Sequence, residues 1–315
     1  MINRIYRLAF LLLLPASLLA AAGPIERIRV AKGPYFMTMS PDGSKLYITA
    51  FADNDIQVVD VQSRQAIGTF YGGFEPVGIA MTPIGDQIFV TNLNPGLVKA
   101  IDARTHEILN DIKVGGMPSN VVASPGGQEI YVMNWGRGRI GRVDFVDAST
   151  HRILGEVEVG IRPFNGVVSE LGDQLFVICA GSNDLYVIDV NRREVIKRIP
   201  VGQGPDGIAM ANDGLTLYVA NSGTNDISVI DLLDLVEVKR VPVGNKPFNL
   251  TVGPNGRVFV VETGSNTVSV YSPEFAKLHT FRTRKKPVDV ALSPDGKYAF
   301  VTDEKDNRLL VFAVP

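Results

Sequence analysis

The stretch NWGRGRIGRV, residues 134–143, carries the only tryptophan of the chain and three arginines. Arginine forks match carboxylate and phosphate groups bidentately. An indole offers a stacking face worth about 1–3 kcal/mol per base in a nucleic-acid partner. Trp135, Arg137, Arg139 and Arg142 are therefore the first candidates for a binding site. Arg162 in GIRPFN (160–165) and Arg284, Lys285 and Lys286 in RTRKKP (282–287) add positive charge. Together they suit an anionic ligand, a protein partner or a single-stranded nucleic acid. A second candidate set is Asn120, Asn165, Asn249 and Asp289, each two residues after a proline. Oxygen ligands of this kind would suit a divalent cation; the same residues also cap turns.

Catalytic sets are hard to assemble. His106, His151 and His279 show no ligand spacing, and no Cys-x-x-Cys-His is present for a covalent haem. Zinc would find too few nitrogen or sulfur ligands. No Ser sits in a G-x-S-x-G elbow. Cys179, the only cysteine, has no base beside it in the pattern and reads as a small buried residue. His106 in IDARTHEIL and His151 in VDASTHRIL share a repeat position and are expected to be solvent-exposed and inert. GRGRIG (136–141) has the letters of a dinucleotide loop but opens no helix.

What positions these residues is a repeat. Prolines at 34, 76, 118, 163, 205, 247 and 287 recur every 40–45 residues, the longest interval lying between Pro118 and Pro163. Each is followed by a short apolar run and a turn such as SPDG, SPGG or ANDG, a hairpin signal because Gly accepts positive φ. A second run follows (LYITA, IFVTN, IYVMN, LYVAN), then a third ending in hydrophobic-Asp, then a fourth ending in VG in most repeats. Four short antiparallel strands per repeat of about forty residues describe a propeller blade. The last repeat stops after three strands, at LLVFAVP. ERIRVAKGP (26–34) matches the fourth strand of other repeats, as in KRVPVGNKP. The expected fold is an all-β, seven-bladed β-propeller of four-stranded blades, its last blade closed by the N-terminal strand.

LYVAN with NDISVIDL and KRVPVG resembles the YVTN-type propeller repeat family. The resemblance covers residues 25–315 and implies a general scaffold rather than one chemistry. The Asn/Asp set also resembles, loosely, the cation sites of six-bladed lactonase propellers, which implies a lactonase or lyase as the enzymatic alternative.

Alternation of strand direction puts the loops from strand four to strand one, and from two to three, on one face, here the upper face, and the residues two places after each proline, Asn120, Asn165, Asn249 and Asp289 among them, are expected in one ring around the channel mouth on that face. IDARTHEIL and VDASTHRIL align Asp147 with Asp231. Asn134 to Asp147 then spans thirteen residues against ten from Asn221 to Asp231. Three extra residues thus fall in the upper loop of blade three, between its second and third strands.

Residues 1–22 read as a signal peptide: Arg4 and Arg7, an apolar run over 8–19, then AAA with cleavage near Ala22. Removing them takes two arginines and no acid, so the net charge of −2 becomes −4. That balance argues against a protein that coats nucleic acid. The expectation is a secreted or periplasmic monomer of residues 23–315 without a membrane span. It is expected to bind a partner through its upper face, with catalysis not favoured.

Overall fold

The structure, a computed structural model, describes residues 22–136, 138 and 140–315. Twenty-eight strands form seven separate four-stranded antiparallel sheets. Six take their strands in chain order. The seventh pairs the N-terminal strand Glu26–Arg29 with the C-terminal strand Arg308–Ala313, in the register Glu26↔Val311 to Arg29↔Arg308. The chain is thus closed into a ring, and its two ends share one sheet. The only helical element among the described residues is a short 3₁₀ turn, Glu304–Asp306, and no described helix is long and apolar enough to cross a membrane.

The second and third strands of each blade are buried on both faces. This is why they read as continuous apolar runs rather than as alternation. Phe89, Phe145, Phe176, Phe259 and Phe300 from these strands are fully buried, each packed between its own blade and a neighbour. Outermost strands are mostly exposed. Ala22 meets the outermost strand of blade six: its N–H donates to the Thr280 carbonyl at 3.0 Å, and its carbonyl accepts from Arg282 N at 2.8 Å.

The innermost strands carry the feature that matters for the site. In all seven blades the pairing of strands one and two slips by one residue just after the proline. A bulge of this kind breaks the two-residue period and re-aims side chains. The residues one and two places after each proline therefore line the central channel at two successive levels.

The insertion in blade three falls where the spacing places it. Asn134 pairs with Arg142 and Glu129 with Asp147, whereas in blade five Asn221 pairs with Asp226 and Thr216 with Asp231.

Candidate functional site

Two rings of residues build the upper mouth of the channel. The first ring is the residue after each proline: Tyr35, Val77, Ser119, Phe164, Asp206, Phe248 and Val288. The second is the residue after each second strand: Phe51, Leu93, Trp135, Ala180, Ser222, Thr263 and Glu304. All seven members of this second ring are held alike. Each donates its backbone N–H to a carbonyl of the loop entering its own blade, from 2.9 Å (Phe51 to Gly33) to 3.3 Å (Leu93 to Glu75). The backbone is uniform here, so side-chain identity alone makes the mouth lopsided.

Over blades one to four the rings enclose a pocket of about 290 Å³. Its walls include Tyr35, Phe51, Val77, Leu93, Trp135 and Phe164, with Glu304 at one edge. Ser119 also lines it, but its hydroxyl already donates to the Pro163 carbonyl at 2.7 Å. The indole N–H of Trp135 is buried and finds no acceptor among the described residues. Arg162 lies 4.8 Å above the centre of the Trp135 ring, a cation–π contact that holds the indole against the pocket.

The pocket floor is aromatic. Phe36 meets Tyr35 edge-on at 4.9 Å and lies against Phe164 and Phe248 at 6.1 and 6.4 Å between ring centres. Below this plug a second chamber of about 350 Å³ continues the channel.

The Asn/Asp set belongs to that lower chamber, which corrects the expectation that it stands at the upper mouth. The reason is the bulge, which lifts the preceding ring above it. Asn120 Nδ2 donates to Asn165 Oδ1 at 2.8 Å, and Asn249 Nδ2 donates to Asp289 Oδ1 at 2.6 Å. Backbone N–H groups of Val121, Gly166, Leu250 and Val290 donate to the side-chain oxygen of the preceding residue. Met37 N donates to Asp289 Oδ2 at 2.9 Å. Each of these oxygens already accepts at least one N–H, and the pairs tie blade three to four, six to seven, and seven to one. Burial pushes Asp289 up to about 7, against the pull of its three N–H donors. Gly78 and Gly207 stand at the same level. A Cβ there would come within 2.4 Å of Asn120 Oδ1 and 2.7 Å of the Asn249 Cα.

The basic residues are mostly engaged. Arg142 does not project: its Nε donates to Asp144 Oδ1 at 2.7 Å and faces Glu156 at 3.1 Å, while its Nη2 donates to the Val114 carbonyl at 2.6 Å. The two-residue step from 142 to 144 puts both side chains on one face of the strand. Arg284 and Lys285 each lie 3.9 Å from Asp306, and Lys286 pairs with Glu304. Arg162 remains exposed beside the pocket, near Asp206, whose carboxyl burial pushes up to about 6. Arg137 and Arg139 lie outside the described residues.

The remaining reactive groups are packed. Cys179 is fully buried, and that burial drives its thiol pKa upward. His106 and His151 are half-buried rather than exposed. Positive φ values of 62° and 57° accompany rings that cross to the preceding blade. His106 stacks on Phe70 at 4.1 Å, and His151 Nε2 bonds Gln87 Oε1 at 2.8 Å. Burial lowers the pKa of both.

Sequence reasoning found Trp135 and Arg162 but missed Tyr35, Phe51, Leu93, Phe164 and Glu304. The signal was available: aligning the first residue after each second strand gives Phe, Leu, Trp, Ala, Ser, Thr and Glu.

No family model matches the chain, and no curated protein matches it. Among solved structures, a chain described as Kuenenia stuttgartiensis hydrazine synthase superposes with a TM-score of 0.80. It is 22% identical, over 90% of this chain and 96% of that one. At this identity the likeness concerns the fold, and 1659 solved chains match this one. The class is therefore a seven-bladed β-propeller, a scaffold on which the activity depends on the site rather than the fold.

Proposed function

We propose that this chain is a secreted or periplasmic binding propeller of the YVTN repeat type, without catalytic activity of its own, whose upper pocket takes an apolar group. The observation that carries this reading is the pocket at the channel mouth, walled by Tyr35, Phe51, Val77, Leu93, Trp135 and Phe164. Concave apolar pockets with few polar groups are the usual form of a binding site. An anionic ligand or nucleic acid is favoured less, because Arg142, Arg284, Lys285 and Lys286 already face acids. A lactonase-like cation site is favoured less too, because the ring oxygens already accept N–H donors.

Trp135, as the only tryptophan, reports directly on the pocket. Bromobenzene, an apolar heavy-atom quencher, is expected to quench its fluorescence along a saturable curve. Val77→Phe should abolish the saturable part. The same ring position holds Phe164 and Phe248 in other blades, so its backbone accepts phenylalanine. Quenching that is only collisional in the wild type, or equally saturable in the variant, would remove the pocket from the account.

A further inference from the structure

The ring closes on a pair of like charges. Arg29, the last residue of the strand Glu26–Arg29, stands directly opposite Arg308, the first residue of Arg308–Ala313. Opposed side chains of an antiparallel pair share one face, and like charges so placed repel. The same repeat position in blade three is balanced: Arg142 stands opposite Glu158 and closes on Asp144 and Glu156. No other blade opposes two charges of one sign at this position. Blade seven lacks the balancing acid, because Leu310 takes the place of Asp144 and Arg27 stands two residues before Arg29. Among the described residues, neither Arg29 nor Arg308 makes an ion pair.

Both arginines line one cavity of about 520 Å³, together with Lys32, Asp53, Asp306 and Asn307. The two acids of this cavity are already engaged. Asp53 Oδ1 lies 3.8 Å from Lys32 Nζ, and its Oδ2 accepts from Lys32 N at 2.8 Å. Asp306 lies 3.9 Å from both Arg284 and Lys285. Arg29, Lys32, Arg308, Arg284 and Lys285 thus set five cations against two carboxylates. Asn307 Oδ1 accepts from Gly33 N at 3.0 Å, which leaves its Nδ2 as a further donor.

We infer that this cavity binds a tetrahedral oxyanion, either free phosphate or the phosphate group of a small ester, between Arg29 and Arg308. Guanidinium forks match phosphate oxygens bidentately, and an anion between the two replaces their repulsion with attraction to both strands. Donors here come from two strands and from the loops bearing Lys32 and Asn307, which suits a tetrahedral oxyanion better than a planar carboxylate. One arginine comes from each end of the chain. A ligand that needs both in place therefore stabilises the closed ring by mass action. This site is independent of the apolar pocket.

The test is titration calorimetry of the full chain with inorganic phosphate, at an ionic strength held constant with sodium chloride. Saturable binding is expected, and the thermal midpoint should rise with phosphate but not with chloride alone. Arg29→Gln and Arg308→Gln should each weaken phosphate binding at least about tenfold, the loss of a charge-assisted hydrogen bond. Without phosphate neither variant should lower the midpoint, since each removes a repulsion. Arg192→Gln, in an exposed turn of blade four, should change phosphate affinity less than about twofold. Sulfate should compete with phosphate, and acetate should not.

No saturable phosphate binding, equal binding of acetate, or unchanged affinity in both arginine variants would overturn the inference. Midpoints that fall in both variants without phosphate, while phosphate affinity is retained, would also overturn it by making the two arginines structural. Glycerol 3-phosphate separates the two sources: affinity at least about tenfold above that of phosphate assigns the cavity to an ester, and equal affinity assigns it to the free ion. Either result upholds the oxyanion site.

Discussion

One channel holds two chambers of similar size, about 290 Å³ above the aromatic plug and about 350 Å³ below it. Tyr35, Ser119 and Phe164 of the upper one stand one step before Phe36, Asn120 and Asn165 of the lower one on the same innermost strands, yet the chemistry of the two chambers is opposite. In the lower chamber, Asn120, Asn165, Asn249 and Asp289 bond to one another in pairs and to backbone N–H groups. In the upper pocket the side chains lie against aromatic rings, and the Trp135 N–H has no acceptor among the described residues. The lower polar ring spends its hydrogen-bonding capacity on tying blades together. The upper pocket has surface left for something else. In a repeat fold, a recurring position whose groups satisfy each other reads as structure, and one whose groups are left over reads as function.

Removing the plug should break this division most severely. Phe36→Ala deletes a ring that is 4% exposed and packed on three others. A loss of about 3–5 kcal/mol is expected in urea unfolding. Saturable quenching by bromobenzene should weaken at the same time, because the pocket loses its floor.

Next comes Asp289→Asn. Its carboxylate accepts three N–H donors, and a carboxamide offers only one oxygen. A cost of about 1–3 kcal/mol is expected. The pH dependence sharpens the case. Burial raises this group from 3.8 to about 7, so its linked stability is fully present below the unfolded value and is lost as pH rises through about 7. The variant lacks that slope, so the gap between wild type and variant should be larger at pH 5 than at pH 8. A gap that stays constant from pH 5 to pH 8 would show Asp289 to be ionised throughout that range.

The smallest effect belongs to the rim. Arg284→Ala removes one exposed ion pair at 3.9 Å and should cost at most about 1 kcal/mol, with quenching by bromobenzene unchanged. A large loss of quenching would return the basic run to the site.

Much of this architecture was legible in the sequence. Seven prolines, seven hairpin turns and a three-stranded last repeat define the ring and its closure, because turn chemistry and buried strands leave strong local signals. The alignment of Asp147 with Asp231 located the insertion as well. The upper pocket was less legible. A bulge after each proline comes from pairing between strands and carries no local letter, so alternation placed one ring on the axis where there are two. Trp135 drew notice through its neighbours in the lengthened loop. Its significance comes instead from a regular repeat position shared with Phe51 and Leu93. Arg142 drew notice for its charge, although Asp144 stood two residues away on the same strand face.

The central claim is that the upper pocket, and not the lower chamber, is the binding site of this propeller. A bromine anomalous difference map from crystals equilibrated with bromobenzene tests it directly. The expected result is one strong peak above the plug, between Trp135 and Phe164. A peak below Phe36 among Asn120, Asn165 and Asn249, or peaks confined to the outer strands, would contradict it.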